Sequence, residues 1–372
     1  MHFSEIIGQH KMKQQLVQQV RENRVPHAML FSSPEGSGAL PLAIAFAEYL
    51  LCENPSETDS CGVCPSCIKL RKLAHPDLHF SFPVIKKGTS ATSDNYMKEW
   101  RDLMAQTYYF GFDAWLEQLK AENKQPLIYG EESANILHKL SLKSSEGGYK
   151  ILIMWLPEKM HNTCANKLLK MIEEPPEKTV LLLVSERPEE VLGTIQSRTQ
   201  RMEIPLLSTN DICQSLQQNN GLSPEDALLI ARLSAGNYVK VLHSIHVNKD
   251  SQLFLDMFIQ LMRLSYQRNI KEMQVWSEQV ASWGRERQKN FLTYCQRLVR
   301  ENFMYNFHLP DLNYMTTAES EFSLRFARFI NERNVIGISA ELAAAQRDII
   351  QNVNPKMVFF DFSLKMIVLL IQ

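Results

Sequence analysis

The sequence lacks the features of a membrane-spanning or exported protein. It has no run of 18 or more apolar residues, and a prominent apolar run, Ile151–Leu156, is only long enough for a strand. The first residues contain no basic stretch followed by an apolar one, so we expect no secretory signal. Tandem repeats and low-complexity segments are also missing. We therefore expect a cytoplasmic, globular protein that does not enter a membrane.

The chain also lacks an excess of charge of either sign. Its 40 Lys and Arg residues are balanced by 41 Asp and Glu residues, and the net charge is −1. Because no overall basic field attracts nucleic acid, any contact with DNA must be local or shared with partner chains. With 372 residues, of which 45% are hydrophobic, the chain is long enough for two or three domains.

Apolar strands alternate with helices in the first part of the chain. Continuous apolar stretches at 28–31, 150–155 and 179–184 predict strands buried on both faces. Helical spacing follows the strands, which predicts a parallel sheet covered by helices. Residues 82–130 carry many aromatic side chains and are predicted to be a helical insert, either packed on the core or forming a partner surface. From residue 208 onward the pattern is helical.

A glycine-rich turn follows the first predicted strand, where a phosphate-binding loop would lie. Such a loop has the pattern G-x-x-x-x-G-K-[ST]: backbone N–H groups hold the phosphates, the Lys neutralises them and the hydroxyl binds Mg²⁺. Gly36 and Gly38 keep the turn, but Ser33 replaces the first glycine, Ala39 the lysine and Leu40 the hydroxyl residue. The segment is therefore either a plain glycine turn or a phosphate loop without its chemistry.

A second element decides between these two interpretations. An ATP site needs an Asp for Mg²⁺ and a Glu to activate water after a second buried strand. Here the strand that reaches Met154 is followed by Trp155, Leu156 and Pro157. The cation, the hydroxyl and both carboxylates have been lost together. We predict that the chain neither hydrolyses ATP nor binds it tightly, and is not an enzyme on its own.

Four of the seven cysteines lie close together in the sequence, as Cys52, Cys61, Cys64 and Cys67. Without an export signal, such clustering favours metal over disulfides. Four thiolates suit tetrahedral Zn²⁺ and leave no position for substrate, so we predict one structural zinc. An iron–sulfur cluster and free buried thiols are the alternatives. The other cysteines are predicted to be small core residues: Cys164, Cys213 and Cys295.

Short motifs in residues 3–242 carry a family resemblance. They are Ile6–Gln9, Arg24–Phe31, Pro34–Gly38, the four clustered cysteines, His75–His79, Glu146–Lys150, Asn166–Lys170, Glu173–Pro176 and Ser197–Arg198. In these motifs the chain resembles the delta-prime subunits of bacterial DNA polymerase III clamp loaders. It is similar to the wider AAA+ family that includes tau/gamma and replication factor C. The Leu-Leu-Lys-x-x-Glu-Glu-Pro-Pro stretch and the cysteine module are the most specific motifs.

The resemblance implies three domains and a set of partners. It implies an AAA+ core at 1–206, with a zinc module at about 52–67 and the insert at about 82–130. A small helical lid would occupy 207–248, and an all-helical collar that oligomerises would occupy 249–372. The implied complex contains tau/gamma and delta subunits. It opens the sliding clamp and places it on primer-template DNA as part of the DNA polymerase III holoenzyme.

The resemblance also gives a role to a lone arginine. Taken alone, Arg198 would be a surface or helix-end residue. The family's Ser-Arg-Cys motif places an arginine against ATP bound by the neighbouring subunit, which implies that Arg198, after Ser197, is a trans-acting arginine finger. The motif's cysteine is Thr199 here, and the lid's sensor arginine would fall near Val239, beside Lys240.

Three functional interpretations result. Tau/gamma-like members of the family keep an intact phosphate loop and delta-prime members often do not, so the degenerate loop favours a non-hydrolysing delta-prime subunit. The alternative is an ATP-hydrolysing motor of the tau/gamma type. The third is a redox or iron–sulfur protein built on the cysteine cluster.

Overall fold

The computed structural model describes residues 1–86, 91–121, 125–307 and 314–370, without the side chains of 246–251 and 317. Residues 87–90 and 122–124 of the predicted insert therefore lie outside the described residues. The chain divides into two compact units, Met1–Val241 and Leu242–Gln372. The division into core, lid and collar stays a prediction.

The first unit alternates strands and helices. The strands are β1 (Ala28–Ser32), β2 (Leu78–Ser81), β3 (Lys150–Trp155), β4 (Thr179–Ser185) and β5 (Gln200–Glu203). The helices up to residue 234 are α1 (His10–Arg21), α2 (Ala39–Leu51), α3 (Pro65–Arg71), α4 (Met97–Gln106), α5 (Phe112–Gln118), α6 (Gly130–Ser141), α7 (Asn162–Glu173), α8 (Gly193–Gln196), α9 (Thr209–Asn220) and α10 (Pro224–Ser234). Helix α11 (Tyr238–Gln267) follows.

The strands form one parallel sheet in the order β2-β3-β4-β1-β5. Strands β1, β3 and β4 are buried along their whole length, as their apolar sequences predict. The edge strands β2 and β5 were not predicted. The α/β class with a parallel sheet and a helical remainder is confirmed.

Successive residues of each central strand point to opposite faces of the sheet. Met29, Phe31 and Trp155 join the core that includes α2, whereas Leu30 and Met154 join the core that includes α7. Every residue of α2 is buried, in agreement with a sequence that is apolar nearly all round. The side chain of Trp155 therefore lies on the same face of the sheet as the helix that follows the glycine-rich turn.

The second unit is helical in its described residues. It contains the remainder of α11 together with α12 (Ile270–Ala281), α13 (Arg285–Tyr305), α14 (Thr317–Phe326), α15 (Val335–Ile350) and α16 (Pro355–Leu369). Its core is built around aromatic residues such as Phe258, Trp276 and Phe359. Within the described parts of the chain, none of the helices has the length and apolar character needed to cross a bilayer.

Candidate functional site

The glycine-rich turn has the strand–turn–helix setting expected of a phosphate-binding loop. Ser33 to Gly38 connect β1 to α2, so the structure brings the predicted loop residues together between a strand and a helix. Gly36 and Gly38 have φ angles of 76° and 88°, a region that favours glycine. Helix α2 begins at Ala39 and so includes Leu40. The loop's frame is preserved although its lysine and hydroxyl are not.

The cavity lined by Gly36 to Pro41, Tyr109 and Trp155 is almost completely filled. The cavity has a volume of about 20 Å³, which is room for about one water molecule. Its lining contains no Lys or Arg among the described residues, and both Ala39 and Leu40 are buried. Val239, the predicted position of the lid's sensor arginine, also contributes to the lining. The cavity has neither the volume nor the positive charge that a triphosphate requires.

Tyr109 of the insert occupies one side of this cavity. Its hydroxyl accepts a 3.0 Å hydrogen bond from the backbone N–H of Ile7, and its ring centroid lies 4.9 Å from that of Tyr238. A Cβ atom added to Gly38 would lie 3.1 Å from the Tyr109 ring. Burial raises the pKa of Tyr109, so the phenol stays neutral near neutral pH. The insert thus packs directly on the phosphate loop.

Trp155, at the position expected for the Mg²⁺-binding Asp, anchors the other side of the cavity. It is 1% exposed, and its ring centroid lies 5.4 Å from that of Trp100 and 5.3 Å from that of Phe110. Trp100 in turn contacts Trp115 edge-on at 5.3 Å. The aromatic residues of the insert and Trp155 were both noted in the sequence, but their proximity was not foreseen. An aromatic cluster therefore lies where a metal-binding carboxylate would be expected.

The acidic residue Glu186 lines the cavity. Burial, followed by the nearby charges of Glu35 and Glu158, raises the pKa of Glu186 from 4.5 to about 8. Burial also raises the pKa of Glu158, although this carboxylate accepts hydrogen bonds of 3.1 and 3.2 Å from the backbone N–H groups of Glu186 and Arg187. With a pKa of about 8, the Glu186 carboxyl is largely protonated near neutral pH, and it supplies no positive charge for a phosphate.

The loop is also held by residues from both ends of the first unit. The backbone N–H of Tyr238 donates to the Gly36 carbonyl at 3.0 Å. A Cβ atom on Gly36 would lie only 2.0 Å from Oδ1 of Asn237. The Gln9 side-chain amide donates to the Ser37 carbonyl at 2.9 Å. These contacts leave the loop no freedom to open around a ligand without moving its neighbours.

The four clustered cysteines form the second candidate site. The Sγ atoms of Cys52, Cys61, Cys64 and Cys67 all lie within 4.8 Å of one another, and none of these cysteines is in a disulfide. A tetrahedral zinc with Zn–S bonds of about 2.3 Å would hold its sulfurs about 3.8 Å apart. All of them are buried except Cys61, which is half-buried. The four predicted ligands are therefore close enough to hold one metal ion.

Backbone N–H groups donate to sulfurs of the cluster, although burial raises the pKa of Cys52 and Cys67. The Cys61 N–H donates to Sγ of Cys52 at 3.3 Å, and the Cys64 N–H donates to Sγ of Cys61 at 3.4 Å. Hydrogen bonds from the Val63 and Cys64 N–H groups lower the pKa of Cys61 to about 6. Donors aimed at sulfur stabilise the thiolate, which is the form that binds metal. The donor set therefore fits a structural zinc ion.

Arg198, the predicted finger, lies between α8 and β5 with 34% of its side chain exposed. Its Nε donates to a carboxylate oxygen of Glu173. Its Nη1 donates to the Thr194 carbonyl at 2.9 Å and to Oγ of Ser197 at 3.2 Å. The Thr199 hydroxyl donates to the carbonyl of Ile195 at 3.1 Å. Ser197 is exposed, Arg198 is partly exposed, and neither residue is among those that line the filled cavity.

The chain is similar to known proteins of one family. A family model described as DNA polymerase III, delta subunit, matches residues 8–208. The delta' subunit of Yersinia pestis DNA polymerase III is 30% identical over 186 residues, covering 50% of this chain and 43% of that protein. The delta' subunit of Escherichia coli is 28% identical over 225 residues, covering 60% and 56%. The chain spans about half the length of these delta' relatives.

Two further similarities are weaker. The gamma/tau subunit of Mycobacterium tuberculosis is 26% identical over 240 residues, covering 63% of this chain and 35% of that protein. A solved gamma subunit-related protein of Thermotoga maritima covers 96% of this chain and 98% of that chain, at 14% identity and a TM-score of 0.39. The structural similarity is too low to carry an argument.

The parallel sheet and the glycine-rich turn between β1 and α2 define an α/β core. Because the family model matches more than half of the chain, the chain belongs to the DNA polymerase III delta subunit family.

Proposed function

We propose that this chain is a non-hydrolysing, delta-prime-type subunit of a DNA polymerase III clamp loader. It would help to place the sliding clamp on primed DNA, beside tau/gamma and delta subunits. The observation that carries the proposal is the filled cavity beside the glycine-rich loop, which has a volume of about 20 Å³. In the loop itself, Ala39 and Leu40 occupy the positions of the lysine and the hydroxyl residue.

The energetics oppose ATP binding in this cavity. A nucleotide would have to displace Tyr109 and Phe110 from their packing against the loop and Trp155. Burial of each large apolar side chain contributes about 1.5–3 kcal/mol. A micromolar affinity corresponds to about −8 kcal/mol, and this chain lacks the lysine and the magnesium ligands that usually provide much of it. The missing lysine and magnesium ligands, and the aromatic packing that a nucleotide would disrupt, both act against ATP binding.

The catalytic contribution of the chain would then be made at a neighbour's site. Arg198 is partly exposed on the first unit. An arginine inserted beside ATP of the adjacent subunit stabilises the charge that develops on the γ-phosphate.

We further propose that the four cysteines hold one structural zinc. Their sulfurs are mutually close and all four positions would be filled by protein, which leaves no open site for substrate. The metal would supply folding energy to the segment from Cys52 to Cys67 and no chemistry. The alternative is an iron–sulfur cluster, and measurement of the bound metal as zinc or iron distinguishes the two.

Reconstitution with tau/gamma and delta tests the proposed function. Clamp loading should require this chain, and the isolated chain should show no ATPase activity. The alternative, a hydrolysing tau/gamma-type motor, predicts ATP turnover by the isolated chain. Clamp loading that proceeds equally well without the chain would contradict the proposal.

A further inference from the structure

The Glu-Glu-Pro-Pro stretch is a specific part of the family resemblance, but neither the filled loop nor the cysteine cluster explains it. Glu173 is the last residue of α7, and Pro175 and Pro176 follow closely. The Glu174 N–H donates to the Lys170 carbonyl at 2.9 Å, which completes the last turn. Because proline cannot continue a helix, α7 ends here, and the backbone position of Glu173 is defined by the helix end.

A carboxylate in this position is electrostatically unfavourable for the helix itself. The C-terminal end of a helix carries partial negative charge, where cations stabilise and anions destabilise. Glu173 meets the Nε–H of Arg198 there. The ion pair offsets the unfavourable end charge and ties α7 to the turn before β5.

From this geometry we infer that Glu173 is a positioning residue for the Arg198 finger. The inference rests on the proposed function of Arg198. Glu173 holds the guanidinium by Nε, and the Thr194 carbonyl and Ser197 hydroxyl hold it by Nη1. Within the described residues no acceptor is hydrogen-bonded to Nη2. Three acceptors thus fix one edge of the guanidinium and leave a donor for a phosphate of the neighbour's ATP.

Preorganisation is the physical benefit of this arrangement. An unrestrained arginine loses rotamer freedom when it binds a phosphate, whereas a guanidinium already held in a fork geometry loses less. Since both Glu173 and Arg198 are substantially exposed, at 46% and 34%, the pair itself contributes little to folding stability. Variants at Glu173 should therefore fold, and their effect should lie in turnover.

The test uses the complex reconstituted with tau/gamma and delta, and measures kcat and KM for ATP. Glu173→Gln keeps the size of the side chain and removes its charge. The control is Glu174→Gln, the exposed neighbouring carboxylate, and Arg198→Ala is the reference. We expect Glu173→Gln to remove most of the turnover that Arg198→Ala removes, through kcat with KM unchanged, and Glu174→Gln to remove none.

A double variant separates positioning from a general structural effect. Because Glu173 acts through Arg198, Glu173→Gln should cause no further loss when added to Arg198→Ala. Additional loss in the double variant would overturn the inference, as would full turnover in Glu173→Gln when Arg198→Ala is slow. If Arg198→Ala itself leaves turnover unchanged, the proposed finger fails and the inference fails with it.

Discussion

The Tyr109 hydroxyl and the backbone N–H of Ile7 are joined by a 3.0 Å hydrogen bond, although the two residues are 102 positions apart. Ile7 precedes α1, and Tyr109 lies in the insert between α4 and α5. The bond fixes the aromatic ring against Gly38 of the phosphate loop. The segment that gave no functional signal in the sequence therefore closes the cavity that a nucleotide would use.

The fixed loop predicts a large effect from a small substitution. Gly36→Ala introduces a Cβ 2.0 Å from the Asn237 side chain and 2.9 Å from the Tyr238 backbone nitrogen, at a φ of 76°. Backbone strain alone costs about 1–3 kcal/mol. We expect a lower urea midpoint for this variant. Gly148→Ala is the control, because nothing lies within 4 Å of its added Cβ. Equal midpoints for the two variants would show that the loop is not packed as described.

The cysteine cluster predicts a metal-dependent fold. Purified protein should contain one zinc per chain, and Cys67→Ala should lose the metal and unfold at a lower temperature. Structural zinc sites contribute on the order of 10 kcal/mol to folding. Cys213→Ala, outside the cluster, should keep its zinc. Metal analysis by mass spectrometry and thermal unfolding with a chelator provide the measurements. Bound iron, or unfolding that is unaffected by metal loss, would contradict the assignment.

Glu186 predicts a pH-dependent stability. Burial and the neighbouring carboxylates raise its pKa in the folded state to about 8, from 4.5. Between these values the folded chain binds more protons than the unfolded chain, so the contribution of Glu186 to stability falls as pH rises from about 4.5 to about 8. Glu186→Gln should therefore be more stable than the parent near pH 8 and similar to it near pH 4. Thermal unfolding across this range, with exposed Glu189→Gln as the control, measures the difference. A variant that is less stable than the parent at pH 8 would show that the charged Glu186 carboxylate does not destabilise the folded state at that pH.

Arg198→Ala should slow ATP turnover of the reconstituted complex while the variant itself folds normally. An exposed ion pair contributes about 0–1 kcal/mol, so its melting temperature should hardly change, whereas an arginine finger contributes much more to catalysis. Arg187→Ala removes another exposed arginine that pairs with a nearby Glu, and should leave turnover intact. Equal turnover for both variants would count against the finger.

The central strands were predictable because short, continuous apolar stretches are typical of strands buried on both faces of a parallel sheet. The edge strands β2 and β5 were not predictable, for two different reasons. In β5, Gln200, Arg201 and Glu203 are exposed and only Met202 is buried, so no apolar run marks it. Strand β2, at Leu78–Ser81, is short and contains His79. Both strands are defined by pairing with neighbours that are distant in sequence.

The cysteine ligands and the loop could be found in the sequence because their residues are close together along the chain. The filling of the cavity could not. Trp155 and Phe110 lie 45 positions apart, and their ring contact at 5.3 Å depends on how the insert folds back over the sheet. The partnership of Arg198 with Glu173 across 25 positions was hidden for the same reason.

The most direct test of the account is a calorimetric titration of Mg·ATP into the isolated chain. A second titration would use the Ala39→Lys/Leu40→Thr variant, which restores the loop's side chains without emptying the cavity. We expect no saturable binding in the micromolar range for either protein. A micromolar Kd for the unaltered chain would contradict it.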